Sequence, residues 1–278
     1  MKNLLKNSLA LVILIVMGSS NSTLAQTPSY HSSTFPVNGT VDKHLVRTVL
    51  ENAIVHVDEN TTINNGTVVL FRGVIESVGS SEEVSIKEPA IRLDMSGFHL
   101  YPSFIDLYSD YGIEEIKNGA YNYRPQYKSS KPGAYHWNEA IHPEINASEL
   151  FNNDEKIARD YLSAGFGSVM THQRNGIFRG TGTLVLLATK KSENENILIT
   201  NAAACYSFKK GVSTQTYPTS LMGGIALFKQ TLLDAQWHNQ SELKSTNISL
   251  SAYNQSVKLP QIFETNDALD YARIYSIA

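Results

Sequence analysis

A change in the spacing of predicted strands constrains the fold of this chain more than any other feature of its sequence. From residue 45 to 100, short β-branched runs such as Ala53–Val57 and Val74–Gly79 alternate with turn residues. This pattern predicts a small antiparallel β-sandwich module over residues 45–100. After Pro102, predicted strands alternate with predicted helices, as is typical of parallel βα units. The chain is therefore predicted to be an α/β protein built from two parts.

The second predicted part begins with Phe104–Tyr108, an apolar run that indicates a buried strand. A long polar loop follows, and residues 148–164 predict one helix with Ser148 as its N-cap and Gly165 as its stop. The other predicted elements are turns at Asn64–Gly66 and Arg72–Gly73, the strand Gly167–His172, a hairpin of Thr183–Thr189 and Ile197–Thr200, a helix over residues 219–238 that begins near Thr219 or Ser220, the strand Pro260–Glu264 and a helix from Ala268.

The N-terminal segment has the pattern of an export signal. Two lysines precede Leu9–Met17, an unbroken apolar run of signal-peptide length that is too short to span a bilayer. We expect a signal peptide over residues 1–25 with cleavage after Ala25, followed by a polar linker over residues 26–44. The mature chain is therefore predicted to be periplasmic or extracellular and not to be held in a membrane.

Composition narrows the class of protein further. A formal net charge of -3 excludes a nucleic-acid binder that relies on bulk positive charge. A content of 42% hydrophobic residues is enough to bury a core, which excludes general disorder. The single Cys205 excludes an intrachain disulfide and a zinc cluster of thiolates. Asn-X-Ser/Thr sequons would carry glycans in a eukaryotic secreted protein but not in a bacterial one, so glycosylation stays open.

One run of residues resembles a known family. Gly97–Asp110 places the sequence Pro-Ser-Phe-Ile-Asp directly after the β module, in the order seen in the amidohydrolase superfamily, which includes imidazolonepropionases and dihydroorotases. Gly165–Val169 resembles the second barrel strand of that family, and the resemblance covers roughly residues 45–175. It implies a TIM-like (β/α)8 barrel, of which residues 101–278 would form a part, with chemistry at the carboxyl ends of its strands.

The same resemblance implies a metal site, and this sequence departs from it there. In the family the first barrel strand ends in His-x-His, which holds a divalent metal such as zinc, whereas these positions are Tyr108 and Asp110 here. A phenol is a poor ligand until it ionises near pH 10, and one carboxylate does not replace two imidazoles. We therefore expect no cofactor in this segment. The candidate site residues are Asp110 and His172, which ends the second predicted strand.

A longer match extends from Tyr101 to Gly112 and resembles an exported bacterial subgroup of amidohydrolase-like proteins. In that subgroup this string marks a degenerate first module that precedes a more complete second one. The chain beyond residue 100 accommodates only about three or four βα units of a barrel. The resemblance thus implies an N-terminal fragment, whose partner is the missing C-terminal part of the same protein.

Four other motifs give weaker support for a functional site. His136 and His142 lie six residues apart in a polar loop, where nothing nearby completes a tetrahedral metal site. Ser207–Lys210 matches Ser-x-x-Lys without its companion motifs, so chance accounts for it. Gly180–Gly182 lacks the spacing of a dinucleotide-binding loop. Cys205 is interpreted as a small core residue rather than a nucleophile.

Two functions remain open at this stage. The first is an exported hydrolase that acts on non-peptide C–N bonds, cyclic amides included, through a metal-activated water held largely outside this segment. Its substrate would be a small-molecule amide or a peptide-derived compound, and this segment alone is expected to be inactive. The second is a non-catalytic binding or assembly module that has lost its metal site. The loop before residue 140 bears aromatic residues suited to stacking on a ligand, or it is a solvated cover: Tyr111, Tyr121, Tyr123, Tyr127, Tyr135 and Trp137.

Overall fold

The computed structural model describes residues 46–117, 124–188, 196–241 and 246–277. The predicted signal peptide and linker lie outside these residues, as do Tyr121 and Tyr123 of the aromatic loop. Within the described residues, none of the helices is both long enough and apolar enough to cross a membrane. The structure divides into two compact units, and the second comprises Val55–Thr62 together with the chain from His99 onward.

The first sheet contains β1 (Arg47–His56), β2 (Thr62–Phe71), β3 (Val74–Ser80), β4 (Ala90–Asp94) and β5 (His99–Leu100). Its order is β3-β2-β1-β4, with β5 beside β1. Strands β2 and β3 are antiparallel, but β1 and β4 run parallel, so the prediction of a purely antiparallel module was wrong. Alternation of buried and exposed residues is the same in both kinds of pairing, and for that reason the sequence pattern does not distinguish them.

The turns of this sheet were predicted with mixed success. The predicted turn at Asn64–Gly66 is wrong, because these residues lie inside β2. The actual turn precedes β2, where the Asp58 carboxylate accepts hydrogen bonds from the backbone N–H groups of Asn60, at 2.9 Å, and Thr61, at 2.8 Å. The predicted turn at Arg72–Gly73 is confirmed, with φ angles of 52° and 78°, as a two-residue hairpin requires.

The second sheet contains β6 (Phe104–Ser109), β7 (Phe166–Thr171), β8 (Phe178–Leu186), β9 (Ile197–Tyr206) and β10 (Gln261–Phe263). Its order is β10-β9-β8-β7-β6. The outer pairs β6/β7 and β9/β10 are parallel, whereas β7, β8 and β9 are antiparallel neighbours. The predicted hairpin in this region is confirmed with longer strands, and it makes the sheet mixed rather than a plain succession of parallel units.

The helices are α1 (Ala147–Leu150), α2 (Glu155–Ser163), α3 (Leu221–Gln240), α4 (Ile248–Ser256) and α5 (Ala268–Tyr275). The prediction of one helix over residues 148–164 was wrong. The chain leaves helical geometry after α1, and the Asp154 side chain then accepts hydrogen bonds from the N–H groups of Lys156 and Ile157, which starts α2 as a new helix. Ser220 caps α3 in the same way and confirms its predicted start.

The main core of the second unit lies against β8 and β9. Phe178 is fully buried and stacks on Phe228 of α3 with 4.7 Å between ring centroids. Ile177, Tyr206 and Leu227 belong to the same buried cluster. The predicted burial of β6 was wrong, because its apolar side chains are exposed: Phe104 by 66%, Ile105 by 54% and Leu107 by 61%. Strand β6 is an edge strand that pairs, within the described residues, only with β7.

Candidate functional site at the strand ends

The carboxyl ends of two neighbouring parallel strands hold three of the positions singled out from the sequence. Tyr108 lies near the end of β6, Asp110 follows that strand, and His172 follows β7. The backbone N–H of His172 donates to the carbonyl of Ser109 at 3.0 Å, which holds the two strand ends in register. The Tyr108 and His172 ring centroids are 4.8 Å apart. The structure therefore brings the predicted site residues to one edge of the sheet.

The Tyr108 side chain is held by two arginines. Arg179 Nη1 donates to the Tyr108 hydroxyl at 3.0 Å. The Arg174 guanidinium lies over the phenol ring, 4.7 Å from its centroid, and donates to the Tyr108 carbonyl at 3.0 Å. Burial is the largest influence on the hydroxyl and raises the pKa of Tyr108 above its ordinary value. The phenol therefore stays protonated at neutral pH.

Arg179, which is buried, and Glu264, which is partly exposed, form an ion pair at this edge. Arg179 is the second residue of β8, has a side chain only 3% exposed, and places Nη2 2.6 Å from the Glu264 carboxylate. Lys209 Nζ contacts the other oxygen of Glu264 at 2.7 Å. Burial raises the pKa of Glu264, but the hydrogen bond from Lys209 and the charge of Arg179 outweigh that effect and lower this pKa to about 2. Glu264 is therefore a fixed negative charge.

Asp110 has a different environment. Its side chain is 58% exposed and lies 3.5 Å from Arg174 Nη1. An ion pair this exposed is weak, because water and salt screen it. Asp110 therefore forms a weak ion pair with Arg174. No contact in the described part of the chain joins Asp110 to the buried network around Arg179.

His172 is fully buried, and both its ring nitrogens lack a hydrogen-bond partner among the described residues. Burial, followed by the positive charges of Arg179 and Arg174, lowers the pKa of His172 to about 4. The imidazole is therefore neutral at pH 7. An unpaired buried ring of this kind is costly, and such groups are concentrated where a fold serves a function.

These residues do not fit a divalent metal. A metal needs several anionic or neutral donor atoms, but the phenol oxygen is protonated and bound to Arg179, while Asp110 pairs with Arg174. Two guanidinium groups also repel a further cation. Among the residues that the structure describes, no group of three or more His, Cys, Asp or Glu side chains is arranged to hold a metal.

A cleft of about 680 Å³ opens beside this network. Positively charged Arg174, Lys209 and Lys210 line it together with negatively charged Asp110 and Glu114. The volume is in the range of sites for small molecules, and the walls offer charges of both signs. Apolar Ile113, Ile116 and Val212 line the cleft as well, so its walls combine charged groups with apolar surface.

The remaining candidates are engaged elsewhere. The His136 Nδ1 accepts from the Asn138 N–H at 3.1 Å, and His142 lies beside Asn175 at 3.5 Å, so they are not joined in one site. Lys210 of the Ser-x-x-Lys match donates to the Gln215 carbonyl at 2.8 Å. Cys205 is buried, and burial raises the pKa of its thiol to about 12, as expected of a core residue.

The aromatic loop divides into buried and exposed members. Tyr111 is only 3% exposed and donates from its hydroxyl to Asn153 at 2.7 Å, so it is part of the packing. Tyr127 is 73% exposed, and its ring centroid lies 5.3 Å from that of Trp137. Among the described members of this loop, Tyr127 is therefore the most accessible for stacking on a ligand, whereas Tyr135 and Trp137 are half-buried.

Sequence reasoning missed the arginines and Glu264. A signal was present, since Arg179 is the single charged residue between Arg174 and Lys190, shortly before the predicted hairpin, and a charge buried in such a run must be paired. The neighbouring Gly180, with φ of 80°, lies against the Ile145 backbone where no side chain would fit. This close packing explains the glycines that superficially suggested a nucleotide loop.

Comparisons with known proteins bear on the fold. No protein-family model matches the chain, and no curated protein matches it significantly. An amidohydrolase of known structure from Thermotoga maritima matches 83% of this chain with a TM-score of 0.64 and 21% identity. A prolidase solved with N-methylphosphonate-L-proline gives a TM-score of 0.24 and 18% identity over 45% of this chain and 25% of its own, and no argument rests on it.

The chain spans 61% of the length of the Thermotoga amidohydrolase. At 21% identity, this similarity establishes a shared architecture and nothing about substrate or metal. The α/β class predicted from the order of strands and helices is confirmed. The described part of the chain therefore has the fold found in an amidohydrolase.

Proposed function

We propose that this chain is the first part of an exported amidohydrolase-type protein that hydrolyses non-peptide C–N bonds, and that its own strand-end site lacks the metal of that chemistry. The observation that carries the proposal is the contact of Arg179 with Tyr108, at 3.0 Å, in an amidohydrolase-like fold. Burial holds the pKa of the Tyr108 hydroxyl above its ordinary value even beside the Arg179 charge, and the hydrogen bond from Arg179 occupies the oxygen that a metal would need.

Strand β6 supports the proposal that the second sheet is part of a TIM-like barrel completed by further chain. Phe104 and Leu107 expose large apolar side chains, and the free edge of this strand can accept another parallel strand. In a closed barrel, every strand has two neighbours and an outer layer of helices. The proposed partner is therefore the C-terminal remainder of the same protein.

The chain's own residues have defined roles in this proposal. Arg179 and Glu264 orient Tyr108, Arg174 and Lys209 present positive charge to the cleft, and His172 stays neutral beside them. The cleft would bind the polar part of a small-molecule amide or a peptide-derived substrate. A zinc-like metal, supplied by ligands outside this segment, would provide the activated water.

The first test measures metal content and hydrolysis. The purified chain, and a longer protein that contains it, are analysed for bound metal and assayed against linear and cyclic amides. We expect substoichiometric metal and no turnover for the chain, and stoichiometric metal with turnover for the longer protein. Stoichiometric metal in the chain contradicts the proposed loss of its site, and metal-free protein in both samples rejects the metallohydrolase.

The second candidate is a non-catalytic binding or assembly module, and the self-contained ion network around Arg179 favours it. It is tested by replacing Tyr108 and Asp110 with Ala in the longer protein. Unchanged turnover supports this candidate. A large loss of turnover with unchanged folding, measured by circular dichroism, counts against it.

Export is a separate part of the proposal, and it depends on the apolar run Leu9–Met17. Expression with the native N-terminus in a bacterial host, followed by N-terminal sequencing of the exported protein, should give a chain that begins at Gln26. Retention of the intact N-terminus in the cytoplasm would reject the signal peptide.

A further inference from the structure

We propose that Arg179 is the resident cation of the strand-end site and that its guanidinium, bonded to Tyr108, blocks the divalent metal that the amidohydrolase resemblance implies at this strand end. This inference rests on the amidohydrolase-type fold proposed above. It goes further by assigning the cause of the missing metal to one residue on β8, rather than to the two substituted positions after β6.

The first argument is burial and geometry. The Arg179 side chain is 3% exposed, and three of its nitrogens have defined partners at one edge of the sheet. Nη1 donates to the Tyr108 hydroxyl at 3.0 Å, Nη2 contacts Glu264 at 2.6 Å, and Nε donates to the Gly176 carbonyl at 3.1 Å. A guanidinium has a fixed planar arrangement of donors, so these three contacts fix its position.

The second argument is charge. Tyr108 and Glu264 come from β6 and from the end of β10, the two edge strands, and Arg179 on the central β8 joins them. A metal would gather oxygen and nitrogen ligands from different strands in the same manner. Glu264 is shared between Arg179 and Lys209, so the network is complete without a metal and carries one more positive charge than negative charge. A divalent ion placed beside it would be repelled.

The inference separates two explanations for the departure from His-x-His. If Tyr108 and Asp110 alone prevent metal binding, restoring histidines at both positions creates a site. If Arg179 blocks the metal, the restored histidines bind zinc poorly until the guanidinium is removed. The two explanations predict different zinc affinities for the same set of variants.

The experiment titrates Zn²⁺ into variants of the whole chain by isothermal calorimetry. The histidine variant carries Tyr108→His and Asp110→His. A second variant adds Arg179→Met, which removes the charge at similar volume, and a matched control adds Arg179→Lys instead, which keeps it. We expect the Met-containing variant to bind Zn²⁺ at least about tenfold more tightly than the histidine variant, and the Lys-containing control to bind like the histidine variant.

Folding of each variant is checked by circular dichroism and thermal unfolding. If the Met-containing variant does not fold, a version that also carries Glu264→Gln removes the unpaired carboxylate and is judged by the same tenfold criterion. Equal zinc affinity with and without Arg179, tight or weak, overturns the inference. Such a result leaves the hydrolase proposal intact, because that proposal is decided by metal and turnover in the longer protein.

Discussion

Strands β6 and β8 belong to the same sheet and are both rich in apolar residues, yet their surroundings differ. Phe178 at the start of β8 is fully buried, whereas Phe104 at the start of β6 is 66% exposed. The difference comes from the neighbours, because β8 lies between two strands and under α3 while β6 is at an edge. At the site the two strands are joined by the hydrogen bond from Arg179 to Tyr108.

The sharpest test of this contrast is a pair of matched substitutions. Phe178→Ala removes a buried ring that contacts Phe228 and Tyr253, and we expect it to lower the free energy of unfolding by about 4 kcal/mol. Phe104→Ala removes an equal ring from a largely solvated position and should cost below about 1 kcal/mol. Urea unfolding of both variants measures the two costs, and similar values would break the contrast.

The next prediction concerns the contact that joins the two strands. Arg179→Met leaves the partly buried Glu264 with the exposed Lys209 as its ionic partner, and we expect a loss of about 2 kcal/mol in the free energy of unfolding. Arg179→Lys keeps the charge but loses the planar donors, so about half of that loss is expected. The comparison is made by urea unfolding at constant ionic strength. A Met variant as stable as the native chain would show that the pair contributes nothing to stability.

Lowering the pH should reduce the free energy of unfolding through the buried His172. The pKa of His172 is about 4 in the folded chain, below its ordinary 6.5, so the unfolded chain takes up the proton first as pH falls. The contribution of the neutral His172 ring to the free energy of unfolding is at its full value above pH 6.5 and is lost as the pH falls from 6.5 to 4. From pH 7 to 5.5 it decreases by about 1 kcal/mol.

This pH dependence has a variant and a control. His172→Asn removes the titrating group, so the slope of unfolding free energy against pH should become flatter over this range. Leu233→Ser, at an exposed position on α3, changes no titrating group and should leave that slope unchanged. An identical slope in the native chain and the His172 variant would show that His172 is not the group that causes this pH dependence.

Much of the fold could be predicted because its signals are local. The Ser220 cap of α3, the two-residue turn at Arg72–Gly73 and the strand at Gln261–Phe263 all depend on residues close in the sequence. Local competition also explains a failure, since Asp154 offers a second helix start within residues 148–164. Burial of β6 depends instead on what lies beside it, which residue pattern alone does not specify.

The site was predictable only in part. The strand-end positions of Tyr108 and His172 follow from the order of strands, and the structure brings their rings within 4.8 Å. The pairing of Arg179 with Glu264 joins residues that are distant in sequence, so no spacing rule reveals it. What the sequence could show is that a charge stands within a run of buried strand residues and requires a partner.

The smallest expected effect on stability concerns the apolar face of β6, and it tests whether that face is an unpaired surface. Phe104→Ser and Leu107→Ser remove exposed apolar side chains, so we expect changes in unfolding free energy within about 0.5 kcal/mol. Association should change more, because exposed apolar side chains at a free strand edge promote pairing between molecules. Light scattering at rising protein concentration should therefore show less association for the serine variants than for the native chain. Leu233→Ser, at a 61% exposed position on α3 away from any strand edge, is the matched control and should have little effect. Equal association of the native chain, the two β6 variants and the Leu233 control would mean that β6 is not the surface through which the molecules associate.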